Sequence, residues 1–313
     1  MSNPNESFLP IIPVAPPDFK SGFIAIIGRP NVGKSTLMNV LVGQKVAITS
    51  PVAQTTRNRL RGILTTPSAQ IIFVDTPGIH KPHHELGKVL VQNAVSAINN
   101  VDLVLFVVDA SQPAGGGDRY ITDLLLKSKT PVILGLNKSD LQGSKKESLN
   151  ESYQEICQEN WQMINFSAIT GEGLDKLQQE LINKLDVGPY YYPPDLVTDQ
   201  PERFIIGELI REQILLHTRE EIPHSVAVTV EKVVEETKIT KIYAAISVER
   251  SSQKGIIIGQ KGQMLKTIGT ASRQQMQKLL SGKVYLELFV KVEPKWRQSR
   301  LRLAEFGYQV EKN

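Results

Sequence analysis

The chain has 313 residues, 41% hydrophobic and 22% charged, with a formal net charge of +4 and one cysteine, Cys157. Such a length suits about two domains, and the composition suits packed cores rather than fibrous or disordered classes. A lone cysteine excludes an internal disulfide framework and fits a reducing compartment, and the longest apolar runs, such as residues 103–108, are far too short to span a membrane.

Charge is unevenly spread along the chain. Residues 251–313 carry twelve Lys and Arg against four Asp and Glu, a balance of +8, which leaves −4 on residues 1–250. A basic end of this kind suits a polyanion, either nucleic acid or an anionic membrane surface, or is a solvated helix face.

Residues 1–20 are polar and proline-rich, an expected disordered lead-in that lacks the apolar core of a secretory signal. The apolar run 23–27 predicts a strand, and Thr36 opens a helix-compatible stretch to residue 42. Between them stands Gly28-Arg29-Pro30-Asn31-Val32-Gly33-Lys34-Ser35, a G-x-x-x-x-G-K-S phosphate-binding loop in the strand–loop–helix setting it needs. Backbone amides of the loop and of the helix start, out to Thr36, cradle phosphate oxygens. Lys34 is placed for the β- and γ-phosphates, and the Ser35 hydroxyl for Mg2+.

The polar segment Gln54-Thr55-Thr56-Arg57-Asn58-Arg59 offers a second Mg2+ hydroxyl, that of Thr56 ahead of its neighbour Thr55, in a switch that orders when a γ-phosphate is present. Strand 70–74 runs into Asp75-Thr76-Pro77-Gly78, where Asp75 is the magnesium-holding carboxylate and Gly78 turns its N–H to the γ-phosphate. Lys34, Thr56 and Gly78 are therefore the candidate catalytic groups. In Ras-type GTPases a glutamine after this turn orients the attacking water. Ile79 stands there instead and can neither accept a proton nor hold water, so slow intrinsic turnover is expected. Asn31 resembles the asparagine that holds K+ in several GTPases with an apolar residue at that place. His80, His83 and His84 lack the convergent partners of a zinc site.

Strand 103–108, the loop Gly115-Gly116-Gly117, a helix over 121–126 and strand 131–136 follow, ending in Asn137-Lys138-Ser139-Asp140. The Asp140 carboxylate can accept from both N1–H and the exocyclic amine of guanine, an arrangement adenine does not present. Asn137 would tie this loop to the phosphate loop, and the Lys138 stem would cover the base. A further strand, 163–166, leads into Ser167-Ala168, with the Ala168 N–H aimed at guanine O6. Strands alternating with helices predict an α/β fold, a parallel-rich sheet flanked by helices with ligand loops at the carboxyl ends of the strands.

Gly188-Pro189-Tyr190-Tyr191-Tyr192-Pro193-Pro194 breaks the pattern and divides a GTPase domain, 21–187, from a linker, 188–202, and a second domain, 203–313. There a helix over 203–217, strands 225–234 and 241–249, an apolar stretch to Ile258, the loop Gly259-Gln260-Lys261-Gly262, a helix to 280 and strand 283–292 give the α+β order of a type II KH domain. Its G-x-x-G loop clamps about four nucleotides of single-stranded RNA. Ile257, Ile258, Leu265 and Ile268 are the expected apolar floor, with Lys261 and Lys266 adding charge. Lys295, Trp296, Arg297, Arg300 and Arg302 either extend the basic surface or belong to a terminal helix docked on the domain.

One GTPase unit followed by a type II KH unit, with Gln-Thr-Thr-Arg and Asp-Thr-Pro-Gly in place, resembles the Era family of bacterial GTPases over residues 21–308. The resemblance implies a monomer that binds GTP and GDP and the 3′ region of 16S rRNA. It also implies a role in assembly of the small (30S) ribosomal subunit, and a cytoplasmic protein with a peripheral fraction at the inner membrane. The alternative from the residues alone is a signalling GTPase whose basic end meets anionic lipid.

Overall fold

The computed structural model describes residues 12–52, 55–79, 85–280 and 282–308. Gln54, the three histidines at 80, 83 and 84, and most of the expected lead-in, residues 1–11, lie outside the described residues.

The first unit is built on β1 (Lys20–Ile27), α1 (Lys34–Val42), β2 (Leu60–Thr65), β3 (Ala69–Asp75), α2 (Glu85–Ile98) and β4 (Leu103–Asp109). It continues with α3 (Gly116–Leu125), β5 (Val132–Asn137), α4 (Lys146–Gln154), β6 (Gln162–Asn165) and α5 (Leu174–Lys184). Its sheet runs β2-β3-β1-β4-β5-β6, with only the β2–β3 pair antiparallel. Near-continuous apolar runs form the inner strands because helices cover both faces. Along β1 the side chains alternate: Ile24 and Ile26 join the core under α1 and α5, while Ala25 and Ile27 join the core under α2 and α3.

Register brings the chemistry to one edge. Ile26 pairs with Asp75 and Asp109 with Asn137, so the phosphate loop and the Asp-Thr-Pro-Gly turn leave adjacent strands, and the Asn-Lys-Ser-Asp turn leaves the same end of the sheet two strands away from β1. The three glycines at 115–117 are not a free loop: α3 starts at Gly116, and the Asp118 carboxylate accepts from the Gly115 N–H at 3.0 Å. Phe19 is fully buried and meets Tyr190 in a tilted contact with ring centroids 4.2 Å apart, while Tyr191 meets Phe23, so the tyrosines after α5 pack back on the first unit.

The second unit comprises α6 (Glu202–His217), the one-turn α7 (Ile222–Ser225), β7 (Ala227–Glu236), β8 (Ile239–Val248), α8 (Ser251–Ile258), α9 (Gln263–Leu279), β9 (Lys283–Val292) and α10 (Arg300–Glu305). The sheet runs β7-β8-β9, antiparallel then parallel, which leaves β9 as an edge. Ile268, Ser272 and Met276 recur every four residues along α9 and form its buried stripe. A further apolar cluster joins the units: Leu86 and Leu90 of α2 pack with Trp296, Leu303 and Tyr308. Trp296 is wholly buried and donates its indole N–H to Ser225 O at 3.0 Å, and Arg297 forms an ion pair with Glu249, so this stretch docks on the second unit as well as on α2, while Arg302 pairs with Glu305 within α10 itself.

Candidate functional site: a phosphate cradle and an RNA-sized groove

The phosphate loop wraps a depression lined by Pro30, Asn31, Lys34, Thr36, Thr56 and Gly78. Gly33 has φ +98°, and a Cβ there would sit 2.3 Å from the Asn137 amide nitrogen, so both conformation and contact demand glycine. Lys34 is buried and folds its ammonium onto its own loop, donating to Gly28 O at 3.2 Å and Arg29 O at 2.8 Å. Burial pushes that ammonium down to about 8, opposed by the charge of Asp75. Arg29 is held outward by Asp118 at 2.8 Å, Asn31 donates its amide to Pro51 O at 2.8 Å, and Val32 is in the core.

Ser35, Thr56 and Asp75 converge. The Ser35 hydroxyl donates to Asp75 Oδ2 at 2.6 Å, Thr56 donates to the same oxygen at 3.1 Å, and the two hydroxyls lie 2.9 Å apart. Thr55 turns away, bonding Ser50 and Val52 O, so Thr56 is the threonine at the carboxylate. Asp75 Oδ1 is buried without a hydrogen-bond partner among the described residues. Burial holds this carboxyl above the usual range, against the pull of Lys34 and the two hydroxyls. An orphaned carboxylate oxygen beside two hydroxyls is the donor set of a small hard cation such as Mg2+. Among the described residues no cluster of three His, Cys, Asp or Glu forms another metal site.

Beyond Asp75, Thr76 anchors the turn by donating to Ile26 O at 2.9 Å, Pro77 is buried, and the Ile79 N–H donates to Gly28 O at 3.1 Å, which draws Gly78 to the loop. Ile79 itself is 1% exposed and lies in the core under α2 and α3, out of reach of any attacking water.

At the base end, Asn137 joins three segments. Its Nδ2 donates to Val32 O at 2.8 Å, while its Oδ1 accepts from the amides of Lys138 at 2.8 Å and Ala168 at 3.0 Å. The Ala168 N–H expected at guanine O6 thus has a side-chain acceptor here, because Asn137 reaches it first. Lys138 is steadied by Asp109 at 2.5 Å, Ser139 donates its amide to Phe166 O at 3.2 Å, and Ser167 donates its amide to Glu172 O at 2.9 Å. Burial opposes ionisation of Asp109, yet the Lys138 and Ser111 hydrogen bonds hold it below its ordinary value. Asp140 is exposed at the rim, open to a ligand. Cys157, the one cysteine, is pushed up to about 11 by burial and has no reactive thiolate at neutral pH.

The second site is a groove between α8, α9 and the edge strand β9. Ile258, Leu265, Leu288, Val290 and Lys254 line one end; Gly262, Lys266, Arg273 and Leu286 line the other. At the loop, Gly259 has φ +71° and ψ 175°, a region reserved for glycine, and a Cβ there would strike Met264 at 2.7 Å. Gln260 and Lys261 stand exposed at the loop's tip. The apolar floor needs correcting. Ile257 and Ile268 are 0% exposed and belong to the core beneath the groove, because the helical period turns them inward while Ile258 and Leu265 stay half-open. The β9 side of the floor is not legible in the sequence: alternation marks its apolar face but not which part stays uncovered.

Comparison with known proteins finds a GTPase domain and a KH domain in the two units. Residues 23–138 match the family model of the 50S ribosome-binding GTPase, and residues 221–297 that of the KH domain. GTPase Era of Rippkaea orientalis is 72% identical over 308 residues, 98% of each chain. A crystal structure of Aquifex aeolicus Era bound to GDP and AlF4− is 39% identical, covering 93% of this chain and 100% of that one at a TM-score of 0.90. A crystal structure of Era with MgGDPNP and nucleotides 1506–1542 of 16S ribosomal RNA is also 39% identical, covering 93% and 99% at a TM-score of 0.89.

Proposed function

The chain belongs to the Era family of GTPases, and from that premise we propose a nucleotide-driven switch that grips single-stranded RNA in its KH groove. Residues 21–187 are the hydrolytic unit, 188–202 the link and 203–313 the RNA-binding unit. The convergence of Ser35, Thr56 and the orphaned Asp75 oxygen carries the reading. These three would hold Mg2+, which neutralises charge on the β- and γ-phosphates during in-line attack by water. Lys34 leaves its two carbonyls for phosphate oxygens, amides from Gly28 to Thr36 cradle the α- and β-phosphates, and the Gly78 N–H meets the γ-phosphate. Asp140 selects guanine, with Asn137, Lys138, Ser139, Ser167 and Ala168 shaping the base pocket. With Ile79 buried, no side chain at that place orients the water, and turnover is slow until another group or K+ near Asn31 assists. Equal hydrolysis rates in matched K+ and Na+ buffers would remove the potassium role.

In the groove, Gly259 and Gly262 admit the RNA backbone, Gln260, Lys261 and Lys266 flank it, and Ile258 and Leu265 meet the bases above a core that includes Ile257 and Ile268. A relative's complex with nucleotides 1506–1542 of 16S ribosomal RNA supports 16S rRNA as the ligand. Assembly of the 30S subunit, a monomeric state, a cytoplasmic location and a weak inner-membrane fraction are the family's expectations for this chain. Lipid binding as the main role is disfavoured at the Trp296–Arg297 stretch, where Trp296 is buried and Arg297 is ion-paired with Glu249. The test is anisotropy of a labelled oligonucleotide from the 3′ end of 16S rRNA. Sequence-selective binding that is lost in Gly262→Asp supports the reading, whereas weak, unselective binding that survives that change contradicts it.

A further inference from the structure

Thr56 is flanked by two residues that the second unit holds. The Thr55 carbonyl accepts from Arg211 Nη2 of α6, a guanidinium that is 0% exposed and locked by Glu208 at 2.6–2.7 Å. On the other side Arg57 leaves the first unit altogether. Its guanidinium is 2% exposed and donates to Val226 O at 2.6 Å and Pro223 O at 3.0 Å, with its centre 5.9 Å and 5.6 Å from the rings of Trp296 and Tyr308. A cation held by backbone carbonyls beside a stacked pair of aromatic rings in the interior has few alternative positions. Earlier in the same segment, the Thr49 N–H and the Lys45 ammonium both bind Glu212 of α6, at 2.9 Å and 2.6 Å, and Lys45 also reaches Gln275 of the groove helix α9 at 2.9 Å.

Bonds this specific, made across a unit boundary on both sides of one hydroxyl, go beyond what packing two units together requires. We propose that Arg57 is a positioning residue through which the second unit holds Thr56 at the Asp75 carboxylate, so that the γ-phosphate sensor is shared between the two units. The inference rests on the reading of Thr56 as the hydroxyl that serves Mg2+ in the GTP state. Because linkage is reciprocal, a triphosphate that draws Thr56 to the metal steadies the seat of Arg57, and the α6–α9 pair beside it, by the same free energy. Lys45, Glu212 and Gln275 form a physical route from that segment to the helix that lines the RNA groove.

The test uses the full chain and the variants Arg57→Met, Thr56→Ala and the double variant. Each is measured for affinity to a non-hydrolysable GTP analogue and to GDP across a Mg2+ titration. Arg57→Met should weaken the analogue about tenfold, the scale set by charge-assisted hydrogen bonds, while leaving GDP within about twofold. Because Arg57 acts through Thr56, the double variant should be no worse than Thr56→Ala alone. A wild-type preference for the analogue in folded Arg57→Met, with the preference lost in Thr56→Ala, would overturn the tether and spare the Mg2+ reading. A preference retained in Thr56→Ala would overturn the Mg2+ reading itself. Should Arg57→Met fold poorly, Glu212→Gln removes the charge that Lys45 meets without changing shape, and it too should reduce the preference for the analogue; an unchanged preference counts against the tether.

Discussion

The phosphate cradle and the RNA groove are built on opposite principles. In the cradle each group has a chemical duty and specific neighbours that fix it: Asp118 for Arg29, Val32 O and two backbone amides for Asn137, Asp75 and one another for Ser35 and Thr56. The groove is a shape. Ile258, Leu265, Leu286, Leu288 and Val290 supply apolar surface that other aliphatic side chains of similar volume would also supply. Point changes in the cradle should therefore abolish a step, and changes in the groove should grade an affinity.

The sharpest way to break that contrast lies at the base. Asp140→Asn removes a carboxylate that two guanine donors need, so GDP affinity should fall roughly a thousandfold while xanthosine diphosphate, which offers an acceptor in place of the amine, gains. A loss below tenfold in a titration with labelled nucleotide would contradict the assigned role. Lys34→Ala should lower GTP affinity roughly a hundredfold, the scale of a charge-assisted hydrogen bond in a buried site, with the fold intact by circular dichroism. In the groove, Gly259→Ala should cost about tenfold in RNA affinity, because the loop must shift away from Met264, and should leave GTP hydrolysis unchanged. The smallest effects separate neighbours. Ile257→Ala should destabilise the second unit by roughly 2–4 kcal/mol in chemical denaturation, while Ile258→Ala should reduce RNA affinity a few-fold with little change in stability. If the two behaved alike, the division between floor and core would be wrong.

The same contrast explains what the sequence disclosed. Phosphate binding, magnesium and guanine selection each require particular residue types at fixed spacing, so Gly28–Ser35, Asp75–Gly78 and Asn137–Asp140 can be read directly and lie together at one edge of the sheet. The KH order is legible from its loop and alternating strands. What stays hidden depends on three-dimensional covering. Ile257 and Ile258 are adjacent and chemically alike, and only the helical phase of α8 against the sheet decides which is buried. β2, with Gly62 in its middle and a single apolar residue before it, carries too little pattern to be seen and exists because β3 offers it an antiparallel edge. Arg57 looks like the polar end of a switch motif. Its burial beside the stacked rings of Trp296 and Tyr308, more than two hundred positions further on, leaves no local trace.

On this reading nucleotide state and RNA grip form one coupled equilibrium. It is tested most directly by titrating the wild-type chain, saturated with Mg2+ and either a non-hydrolysable GTP analogue or GDP, with a labelled oligonucleotide from the 3′ end of 16S rRNA. The account predicts binding at least about fivefold tighter with the analogue, the lower bound of ordinary coupling free energies. Equal affinities in the two states, with both nucleotides shown to be bound, would contradict it.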